Sequence, residues 1–226
     1  MMSKLYIVPT PIGNLQDLTF RSLDLLREVD TILAEDSRKT RILLAHYRVE
    51  KKIHPYHAFN EHKVVESLVD RIRNGESMAL VTDAGTPSIS DPGFLIVRSC
   101  LNRGVPVECL PGATAFIPAL VNSGLPSDRF CFEGFLPHKK GRNKRLSQLR
   151  NETRTMIFYE SPHRLVKTLQ QLAEYLGEDR ASSISREMTK IHEETIRGSL
   201  SELITHFQQH PVKGEFVIVI EGSRGK

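Results

Sequence analysis

Short apolar runs alternate with segments of helical period through the first half of the chain. Leu5-Tyr6-Ile7-Val8 and the runs at 31–35, 53–56, 78–82 and 105–110 read as buried strands. Between them, Leu18, Leu23, Leu25, Leu26 and Val29 form a helical stripe, as do Val64, Val65, Leu68, Val69 and Ile72. Helices are also predicted at 36–46, where Asp36 and Ser37 can cap free N–H groups, at 94–103, and from about 115 to 122. Asn74-Gly75 and Gly104 stop two of them. Regular strand–helix alternation predicts a parallel α/β sheet.

The pattern changes after a turn-rich stretch, Ser123-Gly124-Leu125-Pro126-Ser127-Asp128, which suits a linker. Strands are expected at 130–133 and 156–159, then a helix at 165–176 ended by Gly177. The strands at 182–186 and 193–197 have no room for a crossover helix between them, which implies an antiparallel pair and a mixed sheet. A helix at 200–207 and a strand at 216–220 close the chain. The expected architecture is therefore two α/β domains, 1–123 with a parallel sheet and 124–226 with a mixed one.

Three loops leave strand ends in the first half: 9–14, 82–93 and 111–115. A parallel sheet sets them on one rim, at the carboxyl edge where open α/β sheets bind ligands. The middle loop, Asp83-Ala84-Gly85-Thr86-Pro87-Ser88-Ile89-Ser90-Asp91-Pro92-Gly93, is long for a plain connection. None of the three is a G-x-G-x-x-G fingerprint, and no P-loop, metal-ligand set or G-x-S-x-G elbow occurs.

This loop, with Pro9-Thr10-Pro11-Ile12-Gly13-Asn14 and Phe158-Tyr159-Glu160-Ser161-Pro162-His163-Arg164, resembles the tetrapyrrole-methylase superfamily. Within it the match is to the branch that methylates the ribose 2′-oxygen of a cytidine in 16S ribosomal RNA. The resemblance runs in order along nearly the whole chain. It implies S-adenosylmethionine as cofactor, bound in a cleft between the domains. By that resemblance Pro11 floors the site, Asp83, Gly85, Thr86 and Ile89 line the methionine side, and Ala113, Thr114 and Ala115 form another wall. Phe158 and Tyr159 would cover the adenosine. Thr82 stands where related members often have Ser, and keeps the hydroxyl. The family's members are commonly homodimers, which the resemblance extends to this chain.

Composition adds bounds. The 226 residues carry a net charge of +4 and are 39% hydrophobic. No run of 18 apolar residues exists to span a membrane, and the start lacks a signal peptide's apolar region. Cys100, Cys109 and Cys131 lack metal-ligand spacing and read as core residues of a reduced, cytoplasmic protein. Charge is concentrated between 138 and 154, where seven Lys or Arg face one acid, Glu152. Such a patch suits a phosphate backbone, making Lys139, Lys140, Arg142, Lys144 and Arg145 candidate RNA contacts, with Arg164 and Arg186 further on.

A ribose hydroxyl needs an acceptor for its proton, and Glu160, His163 and Glu187 are the candidates, with Glu133 beside them. Glu160 could equally be a helix N-terminal carboxylate, and Arg186–Glu187 an ion pair. Two other functions remain open on the residues alone: methylation of a small molecule, tetrapyrrole or other, and RNA binding without catalysis.

Overall fold

The computed structural model describes residues 3–223. Contacts divide the chain into two compact units, Met1–Thr114 and Ala115–Lys226.

The first unit carries strands β1 (Leu5–Ile7), β2 (Thr31–Ala34), β3 (Lys52–Pro55), β4 (Met78–Val81) and β5 (Val107–Cys109). They form one parallel sheet in the order β3-β2-β4-β1-β5. Helices α1 (Phe20–Glu28), α2 (Ser37–His46), α3 (Glu61–Arg73) and α4 (Phe94–Asn102) connect them. Side chains alternate across the strands, so both faces are apolar and both are covered. Leu5, Ile7, Leu33, Met78 and Leu80 pack against Val65, Leu68, Ile72 and Ile96 of α3 and α4. Tyr6, Val8, Ile32, Ala34, Ala79 and Val81 pack against Leu25, Leu26 and Leu44 of α1 and α2. Asp36 caps α2, its carboxylate accepting from the Arg38 N–H at 2.8 Å.

The second unit carries β6 (Phe130–Phe135), β7 (Thr155–Glu160), β8 (Ala181–Arg186), β9 (Glu194–Ser199) and β10 (Phe216–Ile220) in the order β6-β7-β10-β8-β9. Only the β6–β7 pair is parallel. β8 and β9 run antiparallel, as their short connection requires. Helices α6 (Arg142–Leu149), α7 (Leu165–Leu176) and α8 (Leu200–Gln209) cover one face, where Met156, Phe158, Ile218 and Ile220 meet Leu146, Leu169, Leu172 and Leu203.

The other face is covered by α5 (Phe116–Ser123), whose Ala119 and Leu120 pack on Ile157, Val217 and Val219. This helix was expected to close the first domain. Its apolar stripe instead buries on the second sheet, so the unit boundary precedes the helix rather than following it at 123. The turn-rich 123–128 stretch is an internal turn, started by Gly124 in the left-handed region at φ 71°.

Phe158 is fully buried in the second core. Phe158→Ala is expected to lower the free energy of unfolding by about 3–5 kcal/mol, read by urea denaturation.

Candidate functional site

β4, β1 and β5 are neighbours in the first sheet, so the loops that follow them emerge side by side. Ile7 lies level with both Leu80 and Cys109, which brings Pro9, Thr82 and Pro111 to one edge. The loops are then tied to each other by backbone. Thr10 and Gly85 exchange N–H···O bonds of 2.9 and 3.0 Å, a one-residue extension of the sheet. The Thr10 hydroxyl donates to the Thr82 carbonyl at 3.0 Å, and the Thr86 hydroxyl to the Ala113 carbonyl at 3.0 Å. Gly112 packs so close to Pro9 that a Cβ there would lie 2.6 Å from the proline's own.

The middle loop is held in a conformation that side chains resist. Gly85 sits at φ +90°, and Ser88 and Ser90 are left-handed at 74° and 66°. A Cβ on Gly85 would point at Ile12 Cγ2 from 3.4 Å and at the Ala113 carbonyl from 3.8 Å. The missing side chain leaves a recess walled by Ile12, Gly85 and Ala113, neutral groups and carbonyl oxygens. Pro11 and Gly85 are buried, while Thr86, Ile89, Ala113 and Thr114 are half-buried on this rim. Ala115 is the first residue of the second unit and packs against its core.

Acid side chains brace the loop from behind. Glu35 accepts from the Thr82 hydroxyl at 2.5 Å and from the Asp83 N–H at 3.3 Å. Asp83 accepts from the Asp36 N–H at 3.2 Å and from the Lys39 ammonium at 2.8 Å. Asp83 thus anchors the loop to the start of α2, and its carboxylate is engaged in that task. Glu35 and Lys39 escaped the sequence reading, because the first looked like a strand end and the second like one solvated lysine among many. Among the described residues, no cluster of three His, Cys, Asp or Glu side chains is arranged to hold a metal ion, and no helix is long and apolar enough to cross a membrane.

In the second unit the catalytic candidates separate. Glu160 is a buried structural carboxylate, 2% exposed. It accepts from the Ser161 N–H at 2.8 Å and the Thr168 hydroxyl at 2.6 Å, with Arg164 at 3.4 Å. Its lone pairs are directed inward, which corrects its assignment as a base. Glu187 accepts from Lys190 at 2.9 Å and from the Glu215 N–H at 2.9 Å. Lys190 first, and that backbone bond further, hold its carboxyl below the usual range. It too is committed to a turn rather than to a substrate proton. His163 is the member of the three that is exposed.

The aromatic pair also divides. Phe158 lies in the core beneath α7, so it is not the adenosine cover expected of it. Tyr159 points to the opposite face, edge-on to Phe132 and Phe135 at 5.0 and 5.7 Å between centroids.

The basic segment sorts into three kinds of cation. Lys139, Lys140 and Lys144 are exposed. Arg145 is exposed but forks onto Glu133 through bonds of 2.7 and 2.6 Å. Arg142 is only 6% exposed, which removes it from the expected RNA contacts. It donates to Gln171 at 2.7 Å, the Thr168 hydroxyl at 2.7 Å and the Pro137 carbonyl at 3.2 Å. Arg142, Thr168 and Glu160 thus form a buried relay that fastens the 136–142 loop to α7. Arg164 donates to the Leu136 carbonyl at 2.9 Å, and Arg186 pairs with Glu194 at 3.1 Å.

An open parallel sheet whose carboxyl-edge loops are braced into one rim has the form of an α/β ligand-binding site. The tetrapyrrole (corrin/porphyrin) methylase family profile matches residues 4–204, and the chain belongs to that family of methyltransferases. It is 46% identical to the ribosomal RNA small subunit methyltransferase I of Thermotoga maritima, over 98% of this chain and 99% of that protein. With the protein of the same name from Escherichia coli O157:H7 it shares 47%, over 99% of this chain and 79% of the relative. Among solved structures it is similar in fold to Thermus thermophilus uroporphyrin-III C-methyltransferase complexed with S-adenyl homocysteine. That match has a TM-score of 0.66 at 21% identity and covers 96% of each chain.

Two measurements check the local account. Arg142→Ala is expected to destabilise the protein by about 2–4 kcal/mol, seen in urea unfolding, because Thr168, Gln171 and the Pro137 carbonyl lose their donor and the buried Glu160 loses a nearby positive charge. The second concerns Asp91, whose carboxyl is pushed up to about 7, by burial first and then by the Glu35 charge, against the Thr82 hydroxyl bond. The folded state therefore holds a proton that the unfolded state releases near 3.8. The stability this provides is complete below that value and is lost as pH rises through about 7. Asp91→Asn is expected to flatten the fall in stability between pH 4 and 7, measured by unfolding across that range.

Proposed function

We propose that this chain is an S-adenosylmethionine-dependent methyltransferase acting on the ribose 2′-oxygen of a cytidine in 16S RNA of the small ribosomal subunit. The observation that carries it is the 46% identity, end to end, with a protein named for methylation of small-subunit ribosomal RNA. The specificity for a cytidine 2′-oxygen rests on the loop motifs already quoted. The cofactor is supported by the ligand of the Thermus enzyme and by the fit of this chain's rim.

That fit is chemical. The backbone rim at Gly85, with Ile12 and the Ala113 carbonyl beside it, carries no positive charge to repel a sulfonium. Pro11, Gly85, Thr86, Ile89, Ala113 and Thr114 would hold the cofactor, with Asp83 fixing the loop. When bound, S-adenosylmethionine supplies an electrophilic methyl group on sulfur. The chain's part is to orient the acceptor ribose and exclude water, and proximity then accounts for most of the acceleration. His163 is the candidate to accept the ribose proton, since its ring reaches solvent while Glu160 and Glu187 are occupied. Of the exposed lysines in the basic segment, Lys139 would meet RNA phosphate. In this reading the enzyme works in the cytoplasm as a homodimer.

Gly85→Ala places a Cβ against Ile12 at φ +90°, a strained geometry for any L side chain. It is expected to weaken S-adenosylmethionine binding at least tenfold by calorimetry while circular dichroism stays native. The function is tested by incubating the protein with unmethylated small subunits and labelled cofactor, then mapping the methyl group. A 2′-O-methylcytidine in 16S RNA is the expected product. Methyl transfer only to a small molecule, or none at all, would overturn the proposal.

A further inference from the structure

The loop before α6 and the start of α7 enclose a cavity of about 350 Å³ in the second unit. Lys139, Arg142, Arg164 and Lys167 line it, with His138 at the edge. Among the described residues lining it there is no acid, and the carboxylate that meets these cations, Glu160, lies buried behind Arg164 and Thr168. Four permanent cations thus face one another across a small space with one negative charge to offset them. Burial and the neighbouring Arg164 charge both work against the Arg142 guanidinium staying ionised, with Glu160 opposing them. Arg142 spends its bonds on the framework, on Gln171, Thr168 and Pro137. Lys139 and Lys167 are exposed, and their ammonium groups enter no hydrogen bond or ion pair among the described residues.

Two helix starts border the same space. α6 begins at Arg142 and α7 at Leu165, and neither has a side chain capping its first N–H groups. Uncapped helix N-termini favour anions, and here they add to converging cations. Lys167 is one helical turn from Arg164, so both present to one side of α7. A hollow with an excess of positive charge, where Arg164 is held in place by Glu160, His138 and the Leu136 carbonyl beside two mobile ammonium groups, suits one tetrahedral phosphate.

We propose that this cavity is a phosphate-binding pocket that grips a phosphodiester of the RNA substrate. Lys139, Arg164 and Lys167 supply the contacts, and buried Arg142 positions the loop that carries Lys139. The pocket confines RNA binding to one face of the basic segment, excluding Lys140 and Lys144. The RNA as the source of the phosphate rests on the proposed function; the pocket itself does not.

The test compares Lys139→Ala/Lys167→Ala with Lys140→Ala/Lys144→Ala in the full chain, so that each removes two exposed charges. Binding of a 16S RNA fragment is measured by filter retention across a salt series. The pocket pair is expected to lose about tenfold or more in affinity and to lower the salt slope by about 0.9, the value for one phosphate contact. The control pair is expected to lose less than threefold. Equal losses in the two doubles, or no loss in the pocket pair, overturn the proposal. In a second arm, inorganic phosphate is titrated against chloride at matched ionic strength, with melting temperature as the readout. Stabilisation of the wild type that the pocket pair lacks supports the pocket. That result with unchanged RNA affinity assigns the pocket to free phosphate and overturns the RNA source. Because neither arm requires methyl transfer, an inactive wild type would count against the proposed function alone.

Discussion

Everything on the candidate rim depends on β1 lying between β4 and β5, hydrogen-bonded to both. A central parallel strand fixes its neighbours' levels through an unbroken ladder, so the three connections that leave it have nowhere to diverge. The ladder then continues one step past the strands, through the Thr10–Gly85 exchange. That step is possible only because Gly85 tolerates φ +90° and brings its backbone within reach of Thr10. Strain in the following serines is sustained by the same bracing, with Glu35 and Asp83 holding the loop base. A rim built this way is preorganised: its shape is carried by backbone bonds rather than by rotatable side chains, which is what a methyl donor requiring exact orientation asks of a protein.

The second unit solves a different problem. Its 138–154 segment is rich in positive charge, and concentrated charge opposes folding unless part of it is neutralised or absorbed. Arg145 is matched by Glu133, and Arg142 is drawn inside, where Thr168, Gln171 and the Pro137 carbonyl satisfy it. The cations left at the surface can then be directed by a rigid loop. Buried polar relays of this kind are costly when incomplete, so the one here doubles as a constraint on where Lys139 and Arg164 sit. Glu160 and His163, three apart in one motif, have different surroundings because the first closes this relay and the second lies outside it at the surface.

The sequence by itself determined the order and type of nearly every element. Apolar period distinguished strand from helix, and glycine and asparagine marked the ends, as at Asn74-Gly75 and Gly177. It also determined that one sheet is parallel and the other mixed, because connection length decides whether a crossover helix fits between strands. The rim loops and the family were legible too, since proline, glycine and small polar residues leave a local signature. Tertiary structure decided what local pattern does not encode. The apolar stripe of α5 says that the helix must be buried but not on which sheet, and the second sheet took it. Phe158 and Tyr159 are adjacent, and only the pairing of β7 settles that one enters the core and the other does not. Arg142 is indistinguishable in sequence from Arg145. It is inside because Thr168 and Gln171, more than 25 residues along the chain, supply acceptors where its side chain ends. Burial and pairing are properties of neighbours in space, and for charged residues those neighbours decide whether a cation holds the fold together or is left to meet a ligand.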